Sequence, residues 1–265
     1  MRRHEPAGPA VPAGTFLVFD LDGVLVDTQD AENGGLAHVG ELMGVTLGKE
    51  RRDELFSGKK MQECLDLLEE LAGTPPPPDA MPIARARCEE LIGDRLEPLA
   101  GVADALDRLG VLPGVSGMCV ASNSPLELIE RRLAKAGLLH QFGGRLYSAY
   151  EVAAWKPDPK LFLAAAERSG AAVVDCLVIE DSPVGVAAGL DAGMRVLQYT
   201  PDPAVGAHLE GAEVFRSMAE LPGLVAAVIA RRSAASSTPA DAPALTPDIA
   251  PALAPTAATP TGRTR

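Results

Sequence analysis

Aromatic residues are scarce in this chain. One Trp, three Tyr and six Phe make up 4% of its 265 residues, so any core must be built mainly from Leu, Val, Ala and Ile. That is feasible, because 47% of the residues are hydrophobic and the length suffices for one sizeable domain or two smaller ones. Cysteine is also sparse. Cys64, Cys88, Cys119 and Cys176 form no Cys-x-x-Cys pair and no metal-type spacing, and read as buried free thiols in a reducing compartment. Positive charge is in deficit: 24 Lys and Arg against 36 Asp and Glu leave a formal charge of −12. A surface this acidic repels nucleic-acid phosphates and anionic membranes, so neither is an expected partner. No apolar run is long enough to span a bilayer. Arg2-Arg3 is followed by Pro6, Gly8, Pro9 and Pro12 rather than by an apolar stretch, which argues against an export signal and for the cytoplasm.

What is present divides the chain. Residues 1–14 are rich in Pro, Gly and Ala, and residues 231–265 in Ala, Pro, Ser and Thr. Both segments bury too little apolar surface to offset ordering entropy and are expected to be disordered. Between them, Thr15–Phe19, Gly117–Ala121, Cys176–Glu180 and Arg195–Tyr199 read as short strands, and Leu126–Ala136, Lys160–Arg168 and Val184–Ala192 as helices. Alternation of this kind implies a parallel sheet covered on both faces. The stretch between the first two strands reads as helical throughout, in pieces at 29–43, 50–55, 59–72 and 82–93, broken by Thr74-Pro75-Pro76-Pro77-Pro78. A crossover needs one helix, so the surplus is an inserted helical unit. The expected architecture is α/β: a Rossmann-like parallel sheet flanked by helices, with a core over 15–28 and 98–230 and a helical insert over 29–97.

The strand ends carry the chemistry, since ligands of open parallel sheets bind beyond the carboxyl ends of the strands. Strand one runs into Asp20-Leu21-Asp22-Gly23, two acids one residue apart. In an extended chain both face one side, which is costly unless a cation or proton intervenes; a solvated Asp/Gly turn is the plain alternative. Strand two ends in Ser122-Asn123-Ser124-Pro125. Ser124 reads as an N-cap, Pro125 as the first helical residue and Glu127 as the capping-box acid, an arrangement that attracts anions. Lys156 precedes Pro157-Asp158-Pro159, where Asp158 again reads as a cap, and a lone Lys is ordinarily a solvated charge. The strand ending at Glu180 is followed by Asp181-Ser182-Pro183, a second acidic pair ahead of a helix start. Two acidic pairs facing one crevice call for Mg²⁺, a hard cation that favours oxygen ligands. Together these parts suit phosphoryl transfer to a carboxylate nucleophile.

The segments FDLDGVLVDT, VASNS, WKPDP and VIEDSPVGVAAGLDAG, in that order, resemble the haloacid dehalogenase superfamily of phosphatases over about residues 15–230. The resemblance implies Asp20 as nucleophile and Asp22 as general acid/base. It implies Ser122 and Asn123 as phosphate ligands, with Lys156 steadying nucleophile and phosphate. Asp20, the backbone carbonyl of Asp22, and Asp181 would hold Mg²⁺, with Glu180 a ligand or an acid just behind them. Thr28 would lie near the hinge to the insert, which looks like the family's helical cap. Dehalogenases of the superfamily lack an acid at the position of Asp22, so its presence favours phosphate over halide.

Within the superfamily the chain is similar to β-phosphoglucomutases, phosphoglycolate phosphatases and sugar-phosphate phosphatases, in detail most to bacterial 6-phosphogluconate phosphatases. Mutases carry a His and a cap Arg where this chain has Glu32 and Met61, which weighs against mutase activity. The cap loop Ser57-Gly58-Lys59-Lys60 is the expected specificity element, with Gly58 allowing a turn and Lys59 or Lys60 meeting a second anionic group; ordinary solvated charges are the alternative. Arg51, Arg52, Arg85 and Arg87 read as solvated helix faces, and His38 and His140 as structural. The expected activity is Mg²⁺-dependent hydrolysis of a small phosphorylated sugar, sugar acid or polyol by a monomer or weak homodimer. The alternatives are a phosphosugar mutase and a non-catalytic binding protein. Retention of Asp20, Asp22, Lys156, Glu180 and Asp181 argues against the last.

Overall fold

Thr15–Phe19 is a run of five apolar or β-branched residues, and it forms strand β1 with every residue buried. The computed structural model describes residues 14–56, 59, 61–202 and 208–236. Its further strands are β2 (Val115–Ser122), β3 (Leu146–Ser148), β4 (Cys176–Glu180), β5 (Arg195–Tyr199) and β6 (Glu213–Phe215). They form one parallel sheet in the order β3-β2-β1-β4-β5-β6. The helices are α1 (Gln29–Leu42), α2 (Lys49–Phe56), α3 (Met61–Ala72), α4 (Ala80–Ile92), α5 (Val102–Gly110), α6 (Leu126–Lys135), α7 (Ala149–Val152), α8 (Lys160–Ser169), α9 (Pro183–Asp191) and α10 (Leu221–Ser236).

Side-chain alternation sets the layers. Leu17 and Phe19 of β1 pack with Val102 and Leu106 of α5, Ile129 and Leu133 of α6, and Leu221 and Val225 of α10. Phe16 and Val18 pack on the other face with Leu161 and Phe162 of α8 and Val186 and Ala188 of α9. The chain builds outward from β1 through β2 to β3, then returns to lay β4 on the opposite side of β1. That reversal opens a crevice beyond the carboxyl ends of β1, β2 and β4.

Helices α1 to α4 have an apolar cluster of their own, containing Leu36, Val39, Phe56, Cys64, Leu65, Leu68 and Ala84. Chain exit and return lie side by side: Val26 bridges to Pro98, and the Leu99 N–H donates to the Leu25 carbonyl at 3.0 Å.

β1, β4 and β5 span the expected residues, and β2 is longer than expected at both ends. β3 and β6 have three residues each, too few for a periodic signal. Three expectations are corrected. Helix α10 continues through 231–236, inside the segment expected to be disordered. Arg231 pairs with Glu213, Arg232 pairs with Asp175, and alanine favours helix there. The rest of that segment, and residues 1–13, lie outside the described residues. Helix α6 has Pro125, not Ser124, at its N-cap and no side-chain cap. Likewise Pro159 rather than Asp158 occupies the N-cap of α8, although Asp158 Oδ1 accepts from the Lys160 N–H at 3.0 Å. Ser182 does cap α9, accepting from the Gly185 N–H at 3.1 Å with Pro183 at the helix start.

Candidate active site

Asp20 follows β1 directly and its N–H donates to the Ile179 carbonyl of β4 at 3.0 Å, so the sheet ladder fixes its backbone. Its carboxylate Oδ1 pairs with Lys156 Nζ, which also donates to Glu180 Oε1 at 2.8 Å. Lys156 is 2% exposed and lies 4.8 Å from the centre of the Phe162 ring. Burial opposes its charge, yet Asp20 and Glu180 outweigh that, and its pKa is raised. The Lys156–Pro157 peptide is cis.

Asp20, Glu180 and Asp181 each offer an oxygen within 4.8 Å of the others. Both oxygens of Glu180 are engaged, Oε1 by Lys156 and Oε2 by the backbone N–H and hydroxyl of Ser182 at 2.8 and 3.0 Å. Asp181 differs: its Oδ1 is buried and has no hydrogen-bond partner among the described residues. Three carboxylates with one Lys leave buried negative charge. Burial first, then Lys156 in opposition and Glu180 in support, set the Asp20 pKa, which is raised to about 7. Burial, Glu180 and Asp20 raise Asp181 to about 8. An all-oxygen cluster with excess charge and an orphaned carboxylate oxygen fits a hard divalent cation.

Two glycines make this packing possible. Gly23 has φ +88°, and a Cβ there would stand 2.2 Å from Asp181 Oδ2. A Cβ on Gly185 would stand 1.6 Å from Glu180 Oε1.

Across the crevice, Ser122 ends β2 and its Oγ accepts from the Ser124 N–H at 3.1 Å. Asn123 Oδ1 accepts from the Lys156 N–H at 2.9 Å, tying the two loops together. Asp22 Oδ1 accepts from Thr28 Oγ1 at 2.7 Å and from Arg132 Nη1 at 2.6 Å, while Oδ2 has only a long contact, 3.4 Å, from Ser124 Oγ. Thr28 is buried and stands at the N-cap of α1, where its side chain serves Asp22 rather than the helix. Asp20, Asp22, Thr28, Ser122, Asn123, Lys156, Glu180 and Asp181 are therefore assembled at one crevice. Of the cap loop, Gly58 and Lys60 lie outside the described residues. Lys59 is exposed, and its N–H donates to the Phe56 carbonyl at 3.1 Å.

Sequence reasoning passed over Arg132. It is 3% exposed and donates to Asp22, to Glu32 Oε1 at 3.0 Å and to Glu89 Oε1 at 3.1 Å. Asp22 and Glu32 hold its charge against the cost of burial. Glu32 is raised to about 7 by burial and by Asp22, with Arg132 opposing. The available signal was its place on the buried stripe Leu128, Ile129, Arg132, Leu133 of α6. Arg85 is likewise no free helix face: it donates to the Tyr150 hydroxyl and lies 5.2 Å from that ring's centre.

A family model for haloacid dehalogenase-like hydrolases matches residues 16–193. The chain belongs to the haloacid dehalogenase-like hydrolase family. It is 32% identical to the 6-phosphogluconate phosphatase of Escherichia coli over 186 residues, covering 70% of this chain and 82% of that one. The fructose-1-phosphate phosphatase of the same organism is 30% identical, over 67% of this chain and 92% of its own. The β-phosphoglucomutase of Bacillus subtilis is 26% identical, over 73% and 87%. Among solved structures, a haloacid dehalogenase-like protein of Agrobacterium tumefaciens superimposes with a TM-score of 0.67 at 28% identity, covering 81% of this chain and 99% of its own. A family hydrolase of Deinococcus radiodurans with bound phosphate and sodium gives 0.64 at 27% identity, covering 82% and 97%. The protein is thus a phosphoric monoester hydrolase of this family. Among the described residues no helix is long and apolar enough to cross a membrane.

Proposed function

We propose that this chain is a Mg²⁺-dependent phosphatase that hydrolyses a small phosphorylated sugar, sugar acid or polyol through an aspartyl-phosphate on Asp20. The observation that carries this reading is the buried cluster of Asp20, Lys156, Glu180 and Asp181, with Asp181 Oδ1 unpartnered. Asp20 and Asp181, with the Asp22 carbonyl, would hold the ion. Glu180, spent on Lys156 and Ser182, supports them from behind. When bound, Mg²⁺ neutralises charge on the phosphoryl oxygens.

The residues then divide the work. An Asp20 oxygen attacks phosphorus as the bond to the leaving oxygen breaks, and Asp22 gives that oxygen its proton. Asp22 next takes a proton from water, the water oxygen attacks the phosphorus, and phosphate leaves while Asp20 is regenerated. Lys156 offsets charge on nucleophile and phosphate; Ser122 and Asn123 hold the phosphoryl oxygens at the end of β2. Helices α1 to α4 act as a cap over the leaving group, hinged near Thr28, with Gly58, Lys59 and Lys60 selecting it. Glu32, where mutases carry a His, is bound to Arg132 and Thr28, which supports hydrolysis over the mutase alternative. Four buried free thiols, Cys64, Cys88, Cys119 and Cys176, are consistent with the cytoplasm.

The test is phosphate release from a panel of phosphorylated sugars, sugar acids, polyols and glycolate with Mg²⁺, for wild type and Asp20→Asn. Release that depends on Asp20 supports the reading, and kcat/KM ranks the substrates. Absence of release, with isomerisation of β-glucose 1-phosphate on adding a bisphosphate primer, would reassign the chain as a mutase.

A further inference from the structure

Three carboxylates from three different elements converge on the one guanidinium of Arg132. Asp22 comes from the loop after β1, Glu32 from α1 and Glu89 from α4, at 2.6, 3.0 and 3.1 Å. A buried cation with this many partners is costly to assemble, because each charge gives up its water. Nothing in the layer packing requires one there: its stripe neighbours Ile129 and Leu133 join the apolar core.

The geometry at Asp22 indicates the purpose. Arg132 and Thr28 both donate to Oδ1, at 2.6 and 2.7 Å, and so pin one oxygen. Among the described residues Oδ2 keeps only the 3.4 Å contact from Ser124 Oγ, beside the end of β2. A carboxylate that shuttles a proton needs one oxygen free and aimed at the reacting bond, and a fixed second oxygen supplies that aim. The same guanidinium reaches Glu89 through Nε and touches Cys88 Sγ at 3.5 Å, so its own orientation depends on where α4 lies. Lys135 Nζ, one turn below on α6, donates to the other oxygen of Glu89 at 3.1 Å and strengthens that seat.

We propose that Arg132 is the positioning residue for Asp22: it fixes Oδ1, leaves Oδ2 to exchange the proton, and does so only when α1 and α4 are seated on α6. This inference rests on the phosphatase reading above.

The experiment compares phenyl phosphate with 4-nitrophenyl phosphate. The two esters have similar shape, but only the first has a leaving oxygen basic enough to need a proton. Because kcat/KM covers steps up to transfer to Asp20, it isolates proton donation. In Arg132→Met, with Mg²⁺, the phenyl to 4-nitrophenyl ratio of kcat/KM is expected to fall about tenfold or more, in the same direction as in Asp22→Asn. Arg132→Lys, which keeps one donor, is expected to recover part of the ratio. Glu89→Gln is expected to shift it the same way but less. Equal losses on both esters in Arg132→Met would mean a merely structural role and overturn the inference while leaving the phosphatase reading intact. If Arg132→Met does not fold, Arg132→Gln carries the same comparison, and an unchanged ratio there overturns the inference equally. Wild type that releases no phosphate from either ester or from any member of the phosphorylated-metabolite panel would overturn the phosphatase reading itself, and the inference with it.

Discussion

The sheet and the seam beneath the insert are built on opposite principles. In the sheet, β1 and β4 are buried along their full length, and apolar side chains cover both faces. At the seam, α4 meets the core mainly through polar contacts, Arg85 with Tyr150 and Glu89 with Arg132 and Lys135, with Ile92 at its end packing against the edge of the sheet's apolar cluster. A cleft of about 700 Å³ opens between α4 and α6, lined by Arg85, Glu89, Leu128, Arg131 and Lys135 among others. Burial of apolar surface stabilises the sheet in proportion to its area. Ion pairs exchange water for partners at nearly equal free energy. The acids of the crevice are thus mounted on the rigid part. Helices α1 to α4, which in the proposed mechanism would have to let substrate in and product out, meet the core largely through contacts that water can replace.

The largest effect expected at the rigid end is chemical. Asp20→Asn should lower turnover by about 10⁴-fold or more while the circular dichroism spectrum stays unchanged. Near-normal turnover would remove Asp20 from the mechanism. Next comes Gly185→Ala. Its Cβ would meet Glu180 Oε1 at 1.6 Å and displace the partner of Lys156. A misplacement near 1 Å costs up to about 10²-fold in kcat. Gly223→Ala in α10 meets nothing within 4 Å and serves as the control, expected to leave kcat alone. Equal behaviour of the two variants would show that Glu180 need not stand where it does.

Stability sharpens the comparison further. Phe19→Ala empties a fully buried site beside Phe142, with ring centres 6.1 Å apart, and should cost about 3–5 kcal/mol in urea unfolding. Tyr150→Phe removes the seam's hydroxyl acceptor for Arg85 and should cost under about 1 kcal/mol. If the seam variant proved as damaging as the core variant, the insert would not be loosely held.

The same contrast explains what the sequence disclosed. Buried strands are short apolar runs, so β1, β4 and β5 could be read to the residue, and with them the positions of Asp20, Glu180 and Asp181. Motif residues at strand ends followed, since the parallel sheet sends those ends to one crevice. The polar seam left no such trace. Arg131 and Arg132 are adjacent and read alike, yet Arg131 is half exposed and Arg132 buried. The apolar stripe of α6 separates them by face, since Arg132 falls in line with Leu128, Ile129 and Leu133; what Arg132 does there depends on partner acids 43 to 110 positions away in the chain. Ser124 was misread as a helix cap for a related reason. Its N–H is taken by Ser122 and its hydroxyl turns towards Asp22, contacts that no local pattern reveals.

The last comparison concerns pH and tests the charge balance of the crevice without reference to turnover. Asp20 and Asp181 have pKa values raised to about 7 and 8 in the folded chain, against about 4 when unfolded. Glu32 is raised in the same sense. Over this interval the folded state holds protons that the unfolded state has lost, so stability must fall as pH rises. Asp30, Asp53 and Asp158 are lowered and act in the opposite sense, but only below the ordinary carboxylate range. Metal-free protein should therefore melt a few degrees lower at about pH 8 than at about pH 5.5. Mg²⁺ held as proposed would bind the deprotonated carboxylates, so its stabilising effect should grow with pH and close that gap. Melting curves at the two pH values, with EDTA and with Mg²⁺, read this directly. A metal-free melting temperature that does not fall, or an equal Mg²⁺ increment at both pH values, would mean that the acids at the carboxyl ends of β1 and β4 are balanced within the protein and have no need of a cation.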